Sequence, residues 1–303
     1  MYKFEPILKT LIWGSESWQL SGVPGNVSVV CEGKEQGRNL SELLCEQREQ
    51  LVGRRNYERY GDTFPLLIKF IDAHLPLSVQ VHPNDELARA RHNSFGKTEM
   101  WYVLHAEAHA SLYAGFSRLL DPDSYCRMVT DGSITEALAK HELQEGDVFF
   151  LPAGRVHSIG GGTTIAEIQQ TSDITYRIYD FGRLDKNGNP RELHTELAKD
   201  AIDYEVKSDY RTHYLPCPNR PVELVNCKYF TTSLLEIDKP IVFDHAALDS
   251  FVIYMCLEES CEFTDAQGTT TLLQAGQTLL VPASNNRLSL RPVGSAKLLE
   301  VHN

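Results

Sequence analysis

Gly146-Asp147-Val148-Phe149-Phe150-Leu151-Pro152-Ala153-Gly154-Arg155-Val156-His157 runs from an apolar strand, through a proline and glycine turn, to a single histidine. The apolar run reads as a buried strand, and the glycines and Pro152 supply the backbone conformations that a tight reversal needs. The pattern returns 130 residues later as Gly276-Gln277-Thr278-Leu279-Leu280-Val281-Pro282-Ala283-Ser284-Asn285-Asn286-Arg287. Gly276 and Pro282 keep their places, whereas Ser284 replaces the second glycine and Arg287 stands where the histidine was. A β architecture is therefore duplicated, with a ligand-type side chain closing only the first copy.

Two upstream stretches carry matching side chains: Ser78-Val79-Gln80-Val81-His82-Pro83 and Gly96-Lys97-Thr98-Glu99-Met100-Trp101. Gln80 and His82 lie two apart on a predicted strand, so both project from one face. Glu99 stands at the edge of the apolar run Glu99-Met100-Trp101-Tyr102-Val103-Leu104, where a carboxylate needs a partner. Singly, His82 reads as a hydrogen-bonded core histidine and Glu99 as a partner of Lys97 or Arg155. Taken with His157, the four form a metal-ligand set of two imidazoles, a carboxylate and an amide oxygen. That set suits a borderline cation such as Zn²⁺, one per chain, with room for water or substrate oxygens. The other nine histidines have no comparable setting.

The 303 residues, 42% of them hydrophobic, are enough for one large α+β unit or for two to three domains. A net charge of −12 argues against a nucleic-acid or anionic-membrane surface and leaves room for an anionic small substrate in a locally basic pocket. Seven scattered cysteines without a CxxC pair suggest reduced, packed thiols. No apolar run approaches the roughly 20 residues of a membrane span, and the first residues lack a signal-peptide core, so the expected compartment is the cytoplasm.

Along the chain, residues 1–33 read as short strands, 38–60 as helical behind a polar cap, and 64–73, 77–81 and 100–104 as buried strands. A helical turn or two is expected at 85–91, a strand near 110–113, a helical insertion over 122–140, strands at 165–169 and 175–179, and a helix over 190–204. The proline cluster Leu215-Pro216-Cys217-Pro218-Asn219-Arg220-Pro221 marks the expected boundary between a catalytic domain, 1–215, and a β domain without metal, 216–303.

The Gly146 to His157 spacing resembles the second motif of the cupin barrels. Combined with Phe64-Pro65-Leu66-Leu67-Ile68-Lys69-Phe70, the Gln80 and Glu99 stretches, and Ala166-Glu167-Ile168-Gln169-Gln170-Thr171-Ser172-Asp173 running to Tyr176-Arg177, the chain resembles the short bacterial form of the type I mannose-6-phosphate isomerases. The resemblance covers most of residues 1–205. It implies a mainly β fold of two cupin, jelly-roll-like β-barrel domains with a small helical insertion. It also implies zinc on Gln80, His82, Glu99 and His157, and interconversion of mannose 6-phosphate and fructose 6-phosphate through an enediolate. By the same resemblance Arg177 is an active-site arginine, Lys97 and Ser78 line the substrate pocket, and Glu167 is a candidate acid/base. Lys69, Lys97 and Arg183 are the candidates for holding the phosphate. Asn84 and Ser15 depart from the family pattern without touching a predicted ligand. The fourth cupin-type ligand being Gln80 rather than a further histidine separates this reading from an Fe²⁺ cupin dioxygenase, and Arg177 with Glu167 separates it from a binding-only cupin.

Overall fold

Apolar runs bounded by turn residues become strands throughout this computed structural model, which describes residues 1–185 and 187–303. The fold is mainly β, and the ladders pairing Val79–Val81 with His157–Ile159, Thr163–Gln170 with Glu99–Ala106 and Val252–Asp265 with Arg287–His302 are antiparallel. The chain divides into two units: Leu8–Ser17 with Ile68–Thr212, and Met1–Ile7 with Trp18–Leu67 and His213–Asn303. This differs from a single cut near residue 215, because residues 1–7 and 18–67 join the C-terminal strands. Long-range polar contacts account for the difference. The Arg54 N–H donates to Asp249 Oδ1 at 3.0 Å, and the Ala283 N–H donates to the Leu51 carbonyl at 2.9 Å.

The unit holding Ile68–Thr212 draws on two sheets. One has the order Tyr176–Tyr179, Val79–Val81, His157–Ile159, Ser111–Phe116, Leu138–Glu142. The other runs Ile7–Leu11, Gly14–Leu20, Leu66–Ala73, Thr163–Gln170, Glu99–Ala106, Val148–Leu151. Ile71, Trp101 and Phe149 from the second sheet and Leu112, Ala114 and Ile159 from the first form one buried cluster. Burying each large apolar side chain of this kind contributes about 1.5–3 kcal/mol. The other unit is built on an eight-stranded sheet centred on the long strands Val252–Asp265 and Arg287–His302.

Side-chain caps open some of the helices. Asn39 and Glu42 form a reciprocal capping box before Leu40–Gln47, and Asn84 Oδ1 accepts from the Leu87 N–H at 2.9 Å to open Asp85–His92. The family departure at Asn84 thus keeps its capping role, since asparagine caps as well as aspartate. The segment expected as helix over 122–140 is α-helical over Pro122–Asp131 and continues only as a short 3-10 turn at Ile134–Ala137. Gly132, at φ 80°, ends the α-helix, and Leu138–Glu142 is a strand paired with Ser111–Phe116. The helix expected over 190–204 is confined to Thr195–Ala201. Its N-terminal part is irregular instead, because His194 exchanges two hydrogen bonds with the backbone of Arg177. Among the described residues no helix is long and apolar enough to cross a membrane.

Gly154 sits at φ +93°, where a Cβ would lie 3.0 Å from the Ala201 carbonyl oxygen, and its N–H donates to the His82 carbonyl at 2.9 Å. Gly154→Ala should therefore lower stability by about 1–3 kcal/mol, measured as a reduced urea midpoint; an unchanged midpoint would show that the turn tolerates a side chain.

Candidate metal centre

The strand Val79–Val81 buries Val79 and Val81 completely and turns Gln80 to the opposite face. In register, Gln80 lies beside His157 on one side and Arg177 on the other. Residues directly opposite in adjacent antiparallel strands share a face, so these three side chains form a row across the sheet. His82 follows the strand and is almost wholly buried, as is His157. Glu99 starts its strand fully buried, between Leu151 and Gln169.

Two backbone carbonyls set the imidazole tautomers. His82 Nδ1 is 2.9 Å from the Ile174 oxygen, and His157 Nδ1 is 2.8 Å from the Arg155 oxygen. A carbonyl only accepts, so each Nδ1 carries a hydrogen and each Nε2 presents a bare lone pair in the neutral ring. Both lone pairs face Glu99: His157 Nε2 is 3.2 Å from Oε1 and His82 Nε2 is 3.4 Å from Oε2. Burial holds the His82 pKa down to about 3, with the Lys97 charge acting in the same direction. Burial also lowers that of His157. Burial alone would raise Glu99, but Lys97, His157 and His82 outweigh it and hold the carboxyl below its usual range.

Acceptors therefore face acceptors in a dry site. His82 Nε2 and both oxygens of Glu99 make no hydrogen bond, although such buried groups carry a desolvation penalty of about 1–3 kcal/mol or more. A cation satisfies all of them at once, and the three ligand atoms lie within 4.8 Å of one another. Gln80 Nε2 lies 3.3 Å from His157 Nε2. Turning that amide by half a revolution presents its oxygen to the same point without changing the side chain's outline. The residues present thus fit a single divalent ion. Lys97, also buried, places its ammonium 3.5 Å from Glu99 Oε2.

Residues 6–109 match the family model for the catalytic domain of phosphomannose isomerase type I. Over 247 residues the chain is 35% identical to mannose-6-phosphate isomerase ManA of Bacillus subtilis, covering 75% of this chain and 76% of that protein. The chain belongs to the type I phosphomannose isomerase family. Similarity to the mannose-6-phosphate isomerase of Streptococcus mutans is 40% over 233 residues, 77% of this chain and 72% of that one. A crystal structure of the mannose 6-phosphate isomerase from Bacillus subtilis superposes with a TM-score of 0.89 at 28% identity, covering 100% of this chain and 99% of that one.

Not every residue expected of a phosphomannose isomerase site faces the ligand set in the same way. Ser78 is buried and alternates in sequence with Val79 and Val81, as Gln80 and His82 do. Arg177 is half-buried, with Nε unpartnered and Nη1 donating to the Glu192 carbonyl at 2.9 Å. Lys69 and Glu167 form a buried ion pair of 2.9 Å, with Glu16 3.6 Å from the same ammonium. Burial alone would lower the Lys69 pKa, but the two carboxylates outweigh it and raise it.

Arg183 and Arg191 converge on Asp180, which sequence reasoning did not single out. Both donate to Oδ1 at 2.5 Å, and Arg191 Nε reaches Oδ2 at 2.6 Å. Arg183 also donates to the Pro76 carbonyl. Burial first and the Arg191 charge second depress the pKa of Arg177, which places a third guanidinium within the same field. Arg191 was missed because it fell inside a predicted helix, yet the cluster of Arg177, Asp180, Arg183 and Arg191 within fifteen positions was a usable signal.

Burial tends to raise the Asp180 carboxyl, but hydrogen bonds from Arg191 and Arg183 outweigh it, so its folded pKa lies below the unfolded value. The stabilisation is therefore present above the unfolded value, about 3.9, and is lost as the pH falls through the lower folded pKa. Asp180→Asn should lower the unfolding midpoint at pH 7, with the difference from the parent protein shrinking below about pH 4. A difference that stayed constant across that range would disconnect the carboxylate from stability.

Proposed function

We propose that this chain interconverts mannose 6-phosphate and fructose 6-phosphate, with one zinc ion held by Gln80, His82, Glu99 and His157. The observation that carries the reading is the pair of bare imidazole nitrogens aimed at a buried carboxylate with no hydrogen bond, within a chain of the type I phosphomannose isomerase family. Zinc supplies Lewis acidity toward the sugar oxygens without a redox step, as an aldose to ketose conversion requires.

The protein's own side chains do the rest. Proton transfer between C1 and C2 passes through an enediolate, whose negative charge needs fixed positive groups nearby. Arg177 shares a sheet face with Gln80 and His157 and has an unpartnered Nε, so its guanidinium is suited to that charge. Lys97 adds a buried point charge from the Glu99 side. Ser78 lies beyond Gln80 on the same alternating face, and its hydroxyl is proposed to meet the sugar. For the phosphate, Lys69 is already opposed by two carboxylates, whereas Arg177, Arg183 and Arg191 together carry two charges more than Asp180 neutralises. The phosphate is assigned to that arginine group, which matches its geometry through paired donors.

The deciding experiment combines zinc analysis of the purified protein with an assay for fructose 6-phosphate formed from mannose 6-phosphate. Turnover should vanish on chelation and return with Zn²⁺; zinc-loaded protein without isomerisation would reject the reading. Arg177→Ala should lower kcat about 10²–10³-fold while zinc content stays near one per chain. Loss of metal or of fold in that variant would make Arg177 structural. Arg191→Ala should act chiefly by raising KM, with weaker competitive inhibition by inorganic phosphate, and an unchanged KM would remove the arginine group from phosphate binding.

A further inference from the structure

Glu167 is tied down on both sides. Trp101 Nε1–H donates to its Oε2 at 2.8 Å and the Lys69 ammonium lies 2.9 Å from its Oε1, with both Glu167 and Trp101 buried. The Trp101 ring in turn meets the His157 ring edge-on, with centroids 5.2 Å apart. A chain of contact therefore runs from Glu167 through Trp101 to a metal-ligand histidine.

The other unit contains the same arrangement without the ligands. Trp101 pairs in register with Phe149 and with Glu167. In the second copy Tyr254 pairs with Leu279, which is 130 residues on from Phe149, and with Glu300. There too the buried aromatic donates to the buried carboxylate: Tyr254 O–H to Glu300 Oε2 at 2.7 Å. Among the described residues no lysine accompanies this pair; His245 Nε2 lies 2.8 Å from the Tyr254 hydroxyl and 3.8 Å from Glu300 Oε2. At the place of Glu99 stands Val252, paired with Val281 and His302 as Glu99 is with Leu151 and Gln169. At the place of His157 stands Arg287, which is exposed.

We infer that Glu167 is a positioning residue, which holds Trp101 against His157 and does not itself move the proton of the reaction. Its bond to the aromatic occurs equally in a copy whose core has valine in place of the metal carboxylate, so the pairing belongs to the scaffold. In the first copy alone that scaffold has a ligand to support. This inference rests on the metal centre proposed above.

Three variants test it, each measured for zinc affinity by chelator competition and for isomerase kinetics across pH. Glu167→Ala and Trp101→Phe both break the bond and should weaken zinc binding by about 10–100-fold. Glu167→Gln keeps an acceptor for the Trp101 N–H and should restore most of the zinc affinity, hold turnover within about tenfold, and leave the pH profile in place. If Glu167 is instead the proton carrier, Glu167→Gln will bind zinc like the parent and lose about 10²–10⁴-fold in kcat with an altered pH profile, which overturns the inference. Tyr254→Phe breaks the counterpart bond in the copy without ligands. It should lower the thermal midpoint with zinc affinity and kinetics retained; a loss of zinc affinity there would show a general effect of stability and also overturn it. A parent protein that binds zinc without turnover would refute the isomerase reading alone, since the affinity comparison stands without the assay.

Discussion

The buried carboxylate of Glu99, facing two imidazole nitrogens that carry no proton, is the constraint on which the rest of the site depends. Three acceptors converge in a place that water does not reach, and protonating His82 to relieve them is opposed by burial and by Lys97. Such an arrangement is stable only with a positive charge at its centre. Every element around it serves to keep the acceptors pointing inward: the Ile174 and Arg155 carbonyls hold the ring hydrogens outward, and the Gly154 N–H ties the hairpin carrying His157 to the backbone of His82.

The surrounding charges sort by the carboxylates that hold them. Lys97 reaches Glu99 directly, while Lys69 is held by Glu167 and Glu16. Arginines gather instead around Asp180, where one carboxylate arranges two guanidinium groups and leaves a net positive charge. A chain with net charge −12 thus carries a local excess of positive charge around Asp180. Asp180 contributes stability and also organises the group, because it fixes the directions of donors that would otherwise repel each other.

Ligand positions were legible because their chemistry is local. A period-two strand puts Gln80 and His82 on one face, and a turn of fixed spacing carries His157. Failures came where distant backbone decides. The segment 190–194 has helical composition, yet His194 pairs with the backbone of Arg177, and that long-range bond overrides propensity. Residues 38–60 were correctly read as helical, but their partners, Asp249 and Ala283, lie some two hundred residues away. Nothing in a local pattern announces which sheet a helix will join. The acid/base role expected of Glu167 rests on the family resemblance, whereas its setting is decided by register with Trp101.

The duplication separates what the architecture needs from what the metal needs. In both units an aromatic from one strand hydrogen-bonds a glutamate from the next, so this bond does not require the ligand-type side chains of the first unit. At the ligand position the two units diverge: Val252 packs into an apolar cluster with Val281 and Leu279, while Glu99 occupies the equivalent place beside Leu151. The fold by default accepts an apolar side chain there. A carboxylate at the same depth, unmatched by any hydrogen bond, contributes nothing to packing that valine does not and adds a desolvation penalty. Glu99 is therefore accounted for by a cation at the proposed centre, and the second unit shows the same strand with an apolar side chain in that place.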